Sequence, residues 1–350
     1  MKQNFLIYGA YGYTGKLIAE LAVKQGLKPI LAGRDSQKTK DLADKLGLEW
    51  LAFDLSDTSA LENALKNVKA LLHCAGPFAL TTPTVLNICL KTQTHYLDIT
   101  GEIEVFEYVA HQHEKAKQAG ITLLSGVGFD VVPSDCLASF LKNQLPDAIN
   151  LELAFMGSGG VSRGTALTMA RGLHKGGAIR ENGKIKPVAS AYEVKTIDYG
   201  VKKALSVCIP WGDVSTAYYS TQIPNIKVFM AQPKKMITWM KRSNYFSWLL
   251  GLGFVQKFFQ NFINKKIIGP NETVRETGKS YLWGKVTNNT GQSVEARLTT
   301  PEGYKLTAIT ALMATQRLLS DNLPAGFLTP SMAFGADFIL EVEGVERNLV

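Results

Sequence analysis

The chain opens on a short apolar run, Asn4-Phe5-Leu6-Ile7-Tyr8, that passes directly into Gly9-Ala10-Tyr11-Gly12-Tyr13-Thr14-Gly15 and then into an amphipathic stretch, residues 16–25. A buried strand, a glycine-rich turn and a helix in that order constrain the fold strongly, because each glycine has its own steric task. Gly9 allows the tight turn, Gly12 lets a pyrophosphate approach the backbone, and Gly15 lets the helix pack close to the strand. Phosphates then rest on free amides at the positive end of the helix, with Tyr11, Tyr13 and Thr14 completing the loop. The spacing is GxxGxxG rather than GxGxxG, so the strand before and the helix after carry the assignment to nucleotide binding.

The second strand says which nucleotide. Residues 28–32 (KPILA) form an apolar run ending in Gly33-Arg34-Asp35, about twenty residues beyond the glycine loop, where an acidic side chain would grip the ribose 2′-hydroxyl of NAD. Here the tip is Gly33 followed by Arg34, whose guanidinium fork suits a 2′-phosphate, and Lys38 adds charge from the next helix. Asp35 is the competing residue: a slip of one position in the turn brings a carboxylate to the ribose instead. NADP(H) is the expected cofactor.

With 350 residues, 46% hydrophobic and 19% charged, the chain has enough apolar material for two domains. Cys74, Cys89, Cys136 and Cys208 are widely spaced without a CxxC pair, so neither a metal site nor a disulfide framework is expected, and a reducing cytoplasm fits. The first residues read as a strand feeding the loop rather than as a signal peptide.

Strands and helices then alternate. Helices are expected at residues 37–46, 58–66, 83–91 and 105–119, and strands at 49–53, 69–73, 95–99 and 121–125. Six strands alternating with helices make a Rossmann-type, doubly wound parallel sheet, in which ligands bind beyond the carboxyl ends of the strands. Asp54 ends the third strand and is placed to accept from the adenine amino group, or to share a turn with the helix caps Ser56 and Asp57. His73 reads as a packing residue, and the small residues Cys74, Ala75, Gly76 and Pro77 let backbone lie along the nicotinamide half. The last two strands end in Tyr96-Leu97-Asp98-Ile99-Thr100-Gly101-Glu102 and in Ser125-Gly126-Val127-Gly128-Phe129-Asp130, the latter followed by Val131-Val132-Pro133-Ser134-Asp135.

Together GAYGYTG, AGR, CAGPF, YLDITGE and GFDVVPSD resemble the saccharopine dehydrogenase-like oxidoreductases, and in particular the branch that includes trans-acting enoyl reductases. The stretch Gly326-Phe327-Leu328-Thr329-Pro330-Ser331-Met332-Ala333-Phe334-Gly335 is similar to the closing motif of that branch. The resemblance implies a Rossmann domain, a second α/β domain with a sheet, and a nicotinamide cofactor. It does not imply saccharopine as substrate.

The expected division is a dinucleotide-binding domain over residues 1–148, completed by about 302–350, and a substrate or dimerisation domain over 149–301 with a mixed or antiparallel sheet. In the latter, residues 151–155 read as a strand, 157–160 as a turn, and Arg163-Gly164-Thr165 as the start of a helix running to about 174. Residues 279–286 and 292–299 form a hairpin, and 304–319 and 331–340 form helices. Between residues 214 and 271 there is no aspartate or glutamate. Lys227, Lys234, Lys235, Lys241, Arg242, Lys257, Lys265 and Lys266 supply a charge equal to the net +8 of the whole chain. Interleaved aromatics make residues 229–268 a candidate for peripheral contact with an anionic membrane or for a cover over an acyl tunnel, the competing reading being a dimer or domain interface. Nucleic acid is not an expected partner.

Two YxxxK matches, Tyr199 to Lys203 and Tyr281 to Lys285, lie outside the cofactor domain and are set aside. Enoyl reduction asks little of the protein beyond donors to an enolate oxygen and a proton for the α-carbon. Ser134, Thr165 and the backbone amides near Gly128 are the candidate donors, and Asp130 and Asp135 either position a water or cap the helix starting near Pro133. Three functions stand open. The chain is an NADP-dependent reductase of a C=C or C=N bond in a hydrophobic small molecule, or an amino-acid-type dehydrogenase using Arg163, Arg171 and Arg180 to hold carboxylates, or a non-catalytic cofactor-binding protein. The cofactor assignment is testable directly: Arg34→Ala should weaken NADPH binding at least about tenfold more than NADH binding in fluorescence titrations, and equal losses would overturn it.

Overall fold

The computed structural model describes residues 3–157, 159–172 and 174–350. Met1 and Lys2, Ser158 of the expected 157–160 turn and Leu173 of the expected helix end lie outside the described residues. Strands β1 (Gln3–Tyr8), β2 (Ile30–Gly33), β3 (Trp50–Ala52), β4 (Val68–His73), β5 (His95–Asp98) and β6 (Thr122–Leu124) come first. They alternate with helices α1 (Tyr13–Lys24), α2 (Ser36–Leu46), α3 (Thr58–Leu65), α4 (Phe78–Thr92), and the pair α5 (Ile103–Ala110) and α6 (His113–Ala119). There follow α7 (Val132–Gln144), β7 (Asn150–Gly157), α8 (Arg163–Gly172), β8 (Gly177–Glu181), β9 (Lys184–Val188), β10 (Val194–Asp198), β11 (Lys203–Cys208), α9 (Asp213–Thr221) and β12 (Asn225–Ala231). The helices α10 (Lys234–Ser243), α11 (Ser247–Leu250), α12 (Gly253–Lys266) and α13 (Glu272–Thr277) lead to the hairpin β13 (Lys279–Thr287) and β14 (Ser293–Pro301). Last come α14 (Gly303–Ser320), β15 (Gly326–Leu328), α15 (Pro330–Phe334) and β16 (Glu346–Leu349).

The chain divides into two units. The first, Met1–Val132 with Tyr304–Ala333, holds a parallel sheet in the order β15-β6-β5-β4-β1-β2-β3. Its central strands are continuous apolar runs because both faces are covered, and Leu6, Ile7, Leu31, Leu71, Leu72 and Leu97 are fully buried. Succession reverses at β1, which pairs with β2 on one side and β4 on the other, so a crevice is expected beyond its carboxyl end. The second unit, Pro133–Gly303 with Phe334–Val350, holds a mixed sheet in the order β10-β11-β12-β7-β13-β14-β16, with β8 pairing β12 and β9. There β7 and β12 run parallel and the remaining pairs antiparallel. Ala154, Ile179, Tyr199, Phe229 and Trp283 share its core.

Several expectations are corrected. The segment 302–350 is divided: α14 and β15 belong to the first unit, but β16 pairs antiparallel with β14, joining the second. The helix expected at 331–340 stops at Phe334 because Gly335 takes a left-handed φ of +88°. The helix expected at 105–119 is two, since Gln112 (φ −89°, ψ 6°) leaves helical geometry. The helix expected from Pro83 begins at Phe78, because the Glu102 carboxylate accepts from the Phe78 and Ala79 amides at 3.0 and 3.1 Å. Finally, the surface segment expected over 229–268 starts too early, since Phe229 is buried in β12; and Lys227, one of the basic residues of the acid-free stretch 214–271, is paired with Glu193 at 2.7 Å.

Candidate cofactor site

The loop after β1 is held by contacts that only glycine permits. Gly9 has φ +83°, and its amide donates to Ala32 O at 2.8 Å, stapling the loop to the end of β2. A Cβ there would lie 2.9 Å from Ala75 N and from the Cys74 carbonyl carbon, so the loop abuts the turn after β4. A Cβ on Gly15 would run into the Gly9 carbonyl oxygen, so α1 lies directly on the loop. Tyr11 leans back over β2, where a Cβ on Gly33 would sit 2.5 Å from its ring, and its hydroxyl accepts from Asp35 N at 3.3 Å. Tyr13 packs edge-on against Tyr304, which α14 brings from far along the chain.

Helix N-termini attract anions, and three of those in the first unit are supplied from within. Asp35 caps α2 by accepting from Lys38 N at 3.1 Å, Asp57 caps α3 by accepting from Ala60 N at 3.0 Å, and Glu102 caps α4. α1 starts on Gly12 with no side-chain cap. α5 and α6 lack one as well, and it is the cradle of close-packed glycines before α1 that fits a bound pyrophosphate.

At the tip of β2, Arg34 and Asp35 sit in different surroundings. The Asp35 carboxylate is committed to α2, with its pKa held low by the Lys38 amide and by the Lys38 ammonium 3.0 Å away, whereas Arg34 is exposed. Asp54 accepts from Ser56 N and Oγ at 2.9 and 2.8 Å, and these bonds, with the charge of Arg34, lower its pKa. At the end of β4, burial pushes the Cys74 thiol far above its ordinary range, so this residue offers backbone rather than a thiolate. Gly76-Pro77 is a cis peptide.

Asp98 at the end of β5 had no separate role in the sequence, yet it organises this end of the sheet. Fully buried, it accepts from Tyr96 Oη, Ser125 Oγ and Gly126 N, each at 2.8 Å, and from Thr100 N at 3.1 Å. Burial raises its pKa and the four donors pull it back. The next loop carries Asp130, whose carboxyl packs so close to Gly101 that a Cβ there would meet Oδ2 at 2.5 Å. Burial raises Asp130 to about 7, within reach of proton transfer at neutral pH. Its loop is steadied by α14: Phe129 N donates to Thr307 Oγ1 at 3.0 Å, and Thr310 Oγ1 donates to Val127 O at 2.8 Å. Separation in sequence hid these threonines from a reading based on local motifs.

The other two candidate catalytic residues belong to the second unit. Ser134 is buried in α7; Thr165 lies in the first turn of α8, where its amide and hydroxyl are 3.3 and 3.1 Å from Ser162 Oγ, which acts as the cap. Arg180 is spent inside that unit, donating to Val214 O at 2.8 Å and to Gly183 O at 2.7 Å and stacking on Tyr218. Tyr199 is likewise internal, 2.8 Å from Ser206 Oγ. Among the described residues there is no cluster of His, Cys, Asp and Glu suited to a metal ion.

Residues 5–124 match the family model of the saccharopine dehydrogenase NADP binding domain. Over nearly its whole length the chain is 23% identical to the saccharopine dehydrogenase-like oxidoreductase of Mus musculus, covering 99% of this chain and 97% of the relative. The chain is an NAD(P)-dependent oxidoreductase, similar along its length to saccharopine dehydrogenase-like oxidoreductases. The fold of this oxidoreductase agrees with that of the apo saccharopine dehydrogenase (L-Glu forming) from Saccharomyces cerevisiae, with a TM-score of 0.69 at 14% identity over 99% of this chain and all of that one. It is also 33% identical to the trans-acting enoyl reductase of Mycobacterium leprae over 38% of this chain and 34% of that protein.

The raised Asp130 has a thermodynamic signature. Between about pH 4 and pH 7 the folded chain holds a proton there that the unfolded chain has lost, so this group's contribution to stability falls as pH rises across that window. Asp130→Asn should therefore be about 1–2 kcal/mol more stable than wild type in urea unfolding at pH 8 and equal to it near pH 4. The absence of any gain at pH 8 would mean that the carboxyl ionises normally.

Proposed function

We propose that this oxidoreductase uses NADPH to reduce a C=C bond, or a C=N bond, of a hydrophobic lipid-type substrate taken from an anionic membrane surface. The observation that carries the reading is the outward face of α10–α12. Ile237 and Ile263 point inward and are buried, while Met236 and Trp239 on α10 and Phe254, Phe258 and Phe262 on α12 are exposed. The last three recur at i, i+4 and i+8, one stripe along the helix. Tyr245 and Trp248 between the helices are 80% and 70% exposed, far beyond what isolated surface aromatics require. Lys234, Lys235, Lys241, Arg242, Lys257, Lys265 and Lys266 surround them with no acidic residue between. Each such cation near an anionic leaflet is worth about 1 kcal/mol, and the aromatics suit the headgroup boundary. Among the described residues no helix is long and apolar enough to cross a membrane, so the contact proposed is lateral.

The likeness to a trans-acting enoyl reductase favours C=C reduction. Commitment of Arg180 to carbonyls within its own unit removes one of the three arginines that a dicarboxylic substrate would call for. When bound, NADPH supplies the hydride for the β-carbon. The roles assigned to the chain are these: Gly9, Gly12 and Gly15 admit the pyrophosphate to the α1 amides, and Arg34 pairs with the 2′-phosphate. Asp54 faces the adenine, residues 74–77 line the nicotinamide half, and Asp130 holds at its carboxyl the proton destined for the α-carbon.

In flotation with vesicles of phosphatidylcholine and phosphatidylserine the protein should rise with the lipid and do so less at high salt, and Trp248→Ala with Phe258→Ala should leave it at the bottom. No flotation at low salt would overturn the surface reading. NADPH oxidation should accelerate with acyl length across a series of enoyl thioesters, and turnover confined to α-keto acids with amines would overturn the substrate class.

A further inference from the structure

The turn that follows β4 is gripped by groups to which no role in binding or chemistry has been given. His73, the last residue of β4, is fully buried, and its Nε2 lies 2.8 Å from Thr81 Oγ1 in the first turns of α4. That oxygen stands 3.1 Å from Ala75 O and 3.3 Å from Pro77 O. A threonine hydroxyl has one hydrogen and a carbonyl oxygen can only accept, so the hydrogen is directed at Ala75 and Pro77 and Nε2 must be the donor to Thr81. Burial holds His73 down to about 3, so across the physiological range the ring carries a single proton, and the chain of bonds fixes it on Nε2. α4 is anchored one turn earlier, where Glu102 accepts from the Phe78 and Ala79 amides. The carbonyls of the turn and the helix that leaves it are therefore both tied, by side chains that come from outside the turn.

We propose that Thr81 is a positioning residue for the nicotinamide half of the cofactor, locking the Ala75 and Pro77 carbonyls in place with His73 as its fixed donor. This rests on the assignment of residues 74–77 to that half. The physical effect is preorganisation: a backbone already set in one conformation loses no freedom when the ring arrives, so the benefit appears in binding of the nicotinamide half alone. The adenosine half is assigned to the glycine loop and Arg34, and a ligand lacking nicotinamide reports on it separately.

The test is a pair of fluorescence titrations, NADPH by its own emission and 2′,5′-ADP by displacement, on wild type, Thr81→Val and Thr81→Ser. Thr81→Val keeps the shape and removes the hydroxyl, and should raise the Kd for NADPH about tenfold while leaving 2′,5′-ADP within about twofold. Thr81→Ser should restore NADPH binding. Equal weakening of both ligands would mark Thr81 as merely structural and overturn the proposal, as would a Thr81→Val protein that binds NADPH like wild type. A wild-type protein that binds 2′,5′-ADP as tightly as NADPH would overturn the assignment of the turn itself, and one that binds neither would overturn the cofactor reading beneath it.

Discussion

Everything at the carboxyl edge of the first sheet depends on three stretches of backbone meeting without side chains between them. The carbonyl of Gly9 touches α1 at Gly15, and Gly9 itself touches the turn after β4 at Cys74 and Ala75. A methyl group at either glycine would force apart elements whose positions set the distance from loop to helix and from loop to turn. Since β1 is the strand at which the order of succession reverses, this close approach lies at the switch point, where an open α/β sheet receives its ligand.

Around that contact the carboxylates divide by what holds them. Asp35 and Asp57 cap the helices that follow them, Glu102 caps α4 across a strand end, and Asp98 is saturated by four donors. These groups are committed to the scaffold, whereas α1 starts on Gly12, which has no side chain to cap it. Burial raises both Asp98 and Asp130, and it brings Asp130 to about 7, the range where proton transfer is useful. Carboxylates at the ends of neighbouring strands thus differ in what surrounds them, although residue type alone would read them alike.

In the second unit the acid-free segment is two things. Its first part is the buried end of α9 followed by a core strand, with Phe229 buried and Lys227 paired to Glu193. From Lys234 onward it is a helical layer anchored by Ile237, by Ile263 and by hydrogen bonds between Asn244 and the Ser190 backbone, with aromatics turned outward. A run of basic and aromatic residues reads alike in both parts. Only the strand pairing of β12 with β7 and β11 separates them.

The sequence by itself determined the strand, loop and helix at Gly9 to Gly15, the alternation through β6, the β13–β14 hairpin and Arg34 at the tip of β2, because each is encoded by neighbours a few residues apart through periodicity and backbone sterics. It did not determine that Glu102 would start α4 five residues before Pro83, that β15 and β16 would go to different sheets, or that Thr307, Thr310 and Thr81 would steady the loops beside the cofactor site. Those were decided by tertiary structure, for a physical reason: each depends on a hydrogen-bond partner or a strand edge supplied from outside the local segment. A donor's sequence carries no mark of the distant acceptor it will meet. Arg34 and Asp35 show both at once, since the residue types were plain in the sequence, and the capping geometry of α2 decided which of the two was left exposed.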